Sequence, residues 1–107
     1  MYSYFCIHTK NINDMWSTKI IEDYTENIEM FTKESVGAYK GIGFYCLLGL
    51  MKVNDWDSWS DRDYNNQETN YISIITSKDS NGNIPKQSKD IMKKLSEMLS
   101  ENIFFDE

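Results

Sequence analysis

Hydrophobic and polar positions change period several times along this chain, and each change marks an element. Residues 2–8, Tyr-Ser-Tyr-Phe-Cys-Ile-His, alternate and are rich in aromatic and β-branched side chains, which predicts a strand. Successive strand side chains point to opposite faces, so Tyr2, Tyr4, Cys6 and His8 share one face and Ser3, Phe5 and Ile7 the other. Both faces read as at least half-covered, as in a central strand. Over residues 17–32 the period becomes helical. Trp16, Ile20, Tyr24, Ile28 and Phe31, with Ile21 beside them, form an inward stripe, and Glu22, Glu26, Glu29 and Lys33 fall on the outward face. Ser17 is the expected N-cap. Glu29 four residues before Lys33 is a favourable pair worth about 0.2–0.5 kcal/mol, while Glu22 and Glu26 repel by a similar amount.

Gly37, Gly41 and Gly43 punctuate the chain ahead of residues 44–53, read as one long strand with Gly49 marking a bulge. The spacing of Leu47, Leu50 and Met51 leaves a helix open as the alternative there. Residues 71–76 are a further strand, and 77–83 are turn chemistry throughout. Pro85 suits a first helical position, and Ile91, Leu95, Met98 and Leu99 give an apolar stripe up to Asn102. Ile103-Phe104-Phe105 should tuck against the sheet. The order strand, helix, strand, strand, helix predicts a single α+β domain over residues 1–107, a small mainly antiparallel sheet with two packed helices.

One segment stands apart from these periods: Asn54-Asp55-Trp56-Asp57-Ser58-Trp59-Ser60-Asp61-Arg62-Asp63-Tyr64. Carboxylates are excluded from cores unless paired, so this bridge between two strands belongs at the surface. Trp56, Trp59 and Tyr64 would be exposed there until a partner covers them, and such side chains are favoured interface anchors. The bridge is also longer than a hairpin loop needs, which points to function.

The 107 residues carry 40% hydrophobic and 14% aromatic side chains, enough for one core, and a net charge of −6. That charge is concentrated. Residues 20–34 hold Glu22, Asp23, Glu26, Glu29 and Glu34 against Lys33, a net −4. Residues 54–68 hold Asp55, Asp57, Asp61, Asp63 and Glu68 against Arg62, again −4. Nucleic acid and anionic membrane are poor ligands for such a surface; a basic protein is a good one. No basic leader with an apolar core opens the chain, and residues 42–51 are far short of a membrane span, so the expected location is the cytoplasm.

Candidate chemistry is thin. Cys6 and Cys46 read as buried free thiols. Cys6 and His8 face the same way, and with Cys46 on a neighbouring strand they could hold zinc or pair a nucleophile with its base; strand alternation alone also explains them. Asp55, Asp57, Asp61 and Asp63 form two Asp-x-Asp pairs able to take magnesium, though only Arg62 is at hand for a phosphate. Asp79, Asn81 and Gly82 imitate part of a calcium loop, but Ser77 and Ser88 stand where its first and last ligands belong, so a strand-to-helix turn is the reading. No cofactor or metal is called for, and no catalytic residue is assigned.

The tail Ile74-Ile75-Thr76-Ser77-Lys78-Asp79-Ser80-Asn81-Gly82-Asn83-Ile84-Pro85, followed by an amphipathic helix, resembles the closing strand, turn and helix of some small bacterial immunity proteins. Those proteins neutralise polymorphic or contact-dependent growth inhibition toxins. The resemblance covers the last third of the chain and brings no functional residue with it. It implies a cytoplasmic, non-enzymatic toxin inhibitor acting by protein–protein interaction on a cognate toxin, a basic nuclease domain fitting the charge. The contacting residues would be Asp55, Trp56, Asp57, Trp59, Asp61, Asp63 and Tyr64, joined by Glu22, Glu26 and Glu29. An acidic inhibitor from phage or host that mimics nucleic acid, and a small metal-dependent enzyme, are the alternatives.

Overall fold

The computed structural model describes residues 1–57 and 63–105. Its elements run β1 (Tyr2–His8), β2 (Trp16–Ser17), α1 (Thr18–Asn27), β3 (Phe31–Ser35), β4 (Ala38–Gly41), β5 (Cys46–Met51), β6 (Glu68–Thr69), β7 (Tyr71–Ser77), α2 (Lys86–Leu99) and β8 (Ile103–Phe105). Six strands form one sheet in the order β3-β4-β5-β7-β1-β8, every pairing antiparallel, and β2 pairs separately with β6. The fold is α+β. The radius of gyration is 13.0 Å.

Residues paired across an antiparallel ladder share a face, which lets the register sort the side chains. Ile7, Ile72 and Leu50 lie in one such row, as do Phe5, Ile74 and Leu48. These point toward both helices: Ile21 of α1 and Ile91, Met92 and Leu95 of α2 join them in one core, with Cys46, Phe31 and Tyr39. The opposite face carries Tyr2, Tyr4, Cys6, His8, Tyr71, Ser73, Ile75, Leu47 and Met51, and no helix among the described residues covers it. Only its His8 end is sealed, by a small cluster of Cys6, Val53 and Tyr71 with Ile12, Met51 and Trp56 packed on it. At the other end Tyr2 and Tyr4 are 48% and 41% exposed, so β1 is not covered on both faces as its pattern implied.

Several sequence expectations change. The helix predicted over 17–32 stops at Asn27, where Thr25 Oγ1 and Asn27 Nδ2 donate back to the carbonyls of Ile21 and Asp23. Glu29 then takes a left-handed conformation (φ 60°), and Phe31 enters the core from a strand. The apolar spacing of Ile28 and Phe31 happens to continue the helical period into β3, which hid the β3–β4 hairpin. Within α1, Ile21 is buried with Thr18 and Thr25 while Ile20 is 60% exposed, so the stripe lies one position round from where it was drawn. Ser17 is the N-cap by position but makes no capping hydrogen bond with its side chain.

The long strand of residues 44–53 is shorter, Cys46–Met51, and runs without a bulge at Gly49, which pairs with Ser73 and Ala38. Pro85 stands at the N-cap rather than inside α2. That helix ends in a Schellman pair, with the Ser100 and Glu101 N–H groups donating to the carbonyls of Glu97 and Ser96, and Ser100 left-handed at φ 56°. The reversal brings Ile103–Phe105 back as the edge strand β8 beside β1. Phe104 and Phe105 remain 41% and 62% exposed.

Candidate binding surface

The acidic-aromatic segment leaves β5 and returns through β6 to β7, and a buried amide fixes its start. Asn70, fully buried, accepts from the Val53 N–H at 2.8 Å and donates through Nδ2 to the Val53 carbonyl at 2.9 Å and the Ile12 carbonyl at 3.0 Å. A carboxamide suits the position because one group must both accept and donate twice. Two loops, one leaving β1 and one leaving β5, are thereby tied to the mouth of β7.

Trp56 is not a free anchor, contrary to the expectation from sequence. It lies half-buried on the Cys6–Val53–Tyr71 cluster, its ring 4.3 Å from His8. Phe104 of β8 stacks on the same imidazole at 4.5 Å. His8 Nδ1 contacts the Thr9 carbonyl at 2.8 Å, which places the proton on that nitrogen. An apolar site on one side of Trp56 accounts for a tryptophan in a run of aspartates. Asp55 and Asp57 stay exposed, and Asp55 Oδ1 accepts the Asp57 N–H at 3.0 Å in a local turn. Trp59 and Asp61, also expected at this surface, lie outside the described residues.

The returning half is held more firmly. Asp63, exposed, bridges Lys52 through the backbone, with N–O distances of 2.7 and 3.4 Å. Tyr64 lies against Gly37 in the β3–β4 turn and donates its hydroxyl to Glu22 Oε1 on α1 at 3.1 Å. Burial, then the bond to Glu22, raises the Tyr64 pKa. Thr18 Oγ1 donates to the Asn65 carbonyl at 2.8 Å and accepts from Thr69 Oγ1 at 2.7 Å. Lys52 Nζ meets Glu68 at 2.9 Å.

These contacts bring the two acidic runs together. Glu22 belongs to the first and Tyr64 to the second, and Lys33 Nζ lies 3.7 Å from the other Glu22 oxygen. Glu26 is exposed one helical turn on. Glu29 is exposed in the turn after α1 rather than on the helix, so its predicted pairing with Lys33 is replaced by the pairing of Lys33 with Glu22. Three adjoining depressions of about 320, 430 and 260 Å³ surround Asn54, between the Lys10–Met15 side and the Asp63–Asn65 side.

No family model, curated protein or solved structure matches this chain.

Of the candidate chemistry, Cys6 and His8 share a face of β1 while Cys46 lies on the opposite face of the sheet with β7 between, so the three do not come together. Burial pushes the Cys46 thiol up to about 11, with the Ser88 hydroxyl pulling slightly the other way, and a thiol so held is protonated at neutral pH. Among the described residues no group of three or more His, Cys, Asp or Glu side chains could hold a metal. Asp79 accepts the Asn81 and Asn83 N–H groups at 2.8 and 2.9 Å, closing the turn before α2. No helix among the described residues is long and apolar enough to cross a membrane.

Sequence reasoning missed Asn70, Tyr39, Lys52 and Thr18. A lone asparagine or threonine next to a strand reads as a turn residue, and its long-range partners have no trace in local spacing. The one usable signal was Thr69-Asn70 immediately before the apolar run of β7, two polar residues where a buried strand starts.

Proposed function

We propose that this chain is a cytoplasmic immunity protein that binds a cognate toxin domain and blocks it, a basic nuclease being the class that fits its charge. The observation that carries the reading is the Tyr64–Glu22 hydrogen bond, which sets the acidic segment after β5 against the acidic helix α1 so that one partner can meet both. Asp55, Asp57 and Asp63 are exposed on the segment and Glu26 on the helix, and carboxylates so placed take positions that phosphates would occupy in a basic cleft. The aromatic sheet face next to Trp56 supplies apolar area, with Tyr2, Tyr4 and Phe104 each about two-fifths exposed or more. Binding of this kind requires no cofactor and no chemistry from the inhibitor.

Open reading frames adjacent to the gene, expressed alone and together with this chain, test the reading. One of them should arrest growth alone and not in combination. Reversal of charge by Asp57→Lys with Glu26→Lys should abolish the rescue while the purified variant stays folded. Association with the toxin should slow as salt rises, because the Debye length falls from about 10 Å at 0.1 M to about 3 Å at 1 M. A rescuing complex whose association rate is flat with salt and survives the charge reversal would refute electrostatic recognition.

A further inference from the structure

We infer that the edge strand β8 pairs with β8 of a second copy of this chain, across a two-fold axis at Phe104, joining the two sheets edge to edge. The hydrogen-bond parity of β1 shows what that edge offers. The Thr9 N–H donates to the Asn70 carbonyl and the Lys78 N–H to the Met1 carbonyl, both at 3.1 Å, so the odd-numbered residues of β1 bond to β7. The even-numbered residues turn their peptide groups toward β8, where Cys6 pairs with Phe104. Phe104 therefore bonds inward to β1, and the N–H and C=O groups of Ile103 and Phe105 point away from the sheet. Those four groups bond to nothing among the described residues.

The two edges of the sheet differ. β3, at the far edge, is irregular between Lys33 and Ser35 and carries Lys33 and Glu34, devices that keep an edge strand from pairing. Ile103–Phe105 has no charge, proline or bulge, and its side chains are 39%, 41% and 62% exposed. The strand is also held ready. Phe105 packs edge-on against Phe5 at 5.4 Å and Phe104 stacks on His8 at 4.5 Å, so little order remains to be imposed on pairing.

A second copy fits this edge better than another strand. Antiparallel pairing centred on Phe104 sets Ile103 opposite Phe105 of the second copy and Phe105 opposite its Ile103. Four backbone hydrogen bonds then use all four outward groups, and every cross-strand pair is apolar on apolar. A register centred on Ile103 would need Glu101, whose N–H already donates to the Ser96 carbonyl and whose carbonyl already accepts from the Ser96 hydroxyl. A basic toxin strand would find no carboxylate on Ile103–Phe105 to meet. Three residues a side, against about 20–30 in a stable interface, make the pair weak, half-formed between about 0.05 and 1 mM. The charge of −6 on each copy opposes it, so salt should strengthen it. The inference goes beyond the proposed function and does not rest on it.

The test uses the full chain alone. Sedimentation equilibrium up to about 2 mM should show monomer passing to dimer and no further, with dimerisation at least threefold tighter in 0.5 M than in 0.05 M salt. Amide hydrogen exchange should report the parity: Ile103 and Phe105 gain protection as concentration rises, while Phe104 is protected throughout. In a Cys6→Ser background, Phe104→Cys should cross-link two copies on oxidation, because the facing Cα atoms of a non-hydrogen-bonded pair are about 4.5 Å apart. Phe105→Cys should cross-link at least tenfold more slowly, its own counterpart lying about 8 Å or more away. A chain that stays monomeric at about 2 mM in both salts would overturn the inference, whether or not β8 takes a strand from another protein. So would a dimer that protects Phe104 instead of its neighbours, or equal cross-linking by the two cysteine variants.

Discussion

Asn70→Ala is the sharpest perturbation available in this molecule. The substitution removes one acceptor and two donors at once, at 2.8, 2.9 and 3.0 Å, and leaves the Val53 N–H, the Val53 carbonyl and the Ile12 carbonyl unpaired. Val53 is 1% exposed, so water cannot readily replace the amide there, whereas Ile12 is only partly buried. Each buried group left unsatisfied costs about 1–3 kcal/mol. With the Ile12 carbonyl rescued by water, the expected loss is about 3–5 kcal/mol. In a domain of this size 1 kcal/mol moves Tm by about 4–8 °C, so a fall of at least ~12 °C should be seen. Asn70→Asp should be no better at neutral pH. Its carboxylate can still accept the Val53 N–H but faces two carbonyls with no proton to give, and its deficit should shrink as acid protonates it. Urea unfolding followed by tryptophan fluorescence measures the loss, and amide hydrogen exchange locates it in residues 10–15 and 53–57. A variant within 1 kcal/mol of the parent, with exchange unchanged in both loops, would refute the assignment of Asn70 as the clamp on the acidic segment.

Trp56→Ala should cost about 2 kcal/mol of stability in urea unfolding, less than the 3–5 kcal/mol of a fully buried tryptophan, because the ring is half-buried on His8 and Tyr71. Gly37→Ala should destabilise by more than 1 kcal/mol and uncouple Tyr64 from Glu22, since φ is +73° and the added Cβ would sit 2.3 Å from the Tyr64 ring; thermal melts and the Tyr64 ring resonances would report it. The equivalent change at Gly43, with φ +82° and nothing within 4 Å, should show strain alone. Asp79 should contribute to stability in a pH-dependent way. The Asn83 and Asn81 N–H groups hold its folded pKa below the ordinary value, so its contribution is complete above the ordinary aspartate range and is lost as pH falls through the folded value. Asp79→Ala should therefore lower Tm at pH 7 and leave it nearly unchanged at pH 2.

The sheet was legible where a strand is covered on at least one face and bounded by turn residues. β1 and β7 appear within a residue of their predicted limits because Tyr2–His8 and Tyr71–Ser77 satisfy both conditions. α2 was legible for a different reason: Ile91 and Leu95, one turn apart, are both fully buried, and Pro85 marks the start. The β3–β4 hairpin was not. The β3 residues beyond Phe31 (Thr32, Lys33, Glu34 and Ser35) are polar and exposed, so no alternation there competes with the helical spacing that Tyr24, Ile28 and Phe31 continue by accident. The candidate surface divides along the same line. Exposure of Asp55, Asp57 and Asp63 follows from their charge alone, but the packing of Trp56 on His8 and of Tyr64 on Gly37 depends on which strands become neighbours, and spacing carries no record of that.

On the proposed function, the anchoring of this acidic segment matters as much as its charge. A flexible run of charged residues would lose conformational entropy on binding, about 1–2 kcal/mol for each backbone residue fixed, and that loss would cancel much of what its contacts gain. Here Asn70 and Trp56 hold the outgoing side on the His8 end of the sheet. The Asp63–Lys52 bridge, the Tyr64–Glu22 bond and the Thr18–Asn65 bond hold the returning side on β5 and α1. Carboxylates fixed at both margins keep their spacing before a partner arrives, which favours fast, oriented capture of a basic surface over slow folding upon it. Loosening either anchor should therefore weaken the complex even where the altered residue never touches the partner. Gly37→Ala and Asn70→Ala act from opposite sides of the segment, and if both slow association with a basic toxin while leaving every surface carboxylate in place, preorganisation rather than net charge is what the segment contributes.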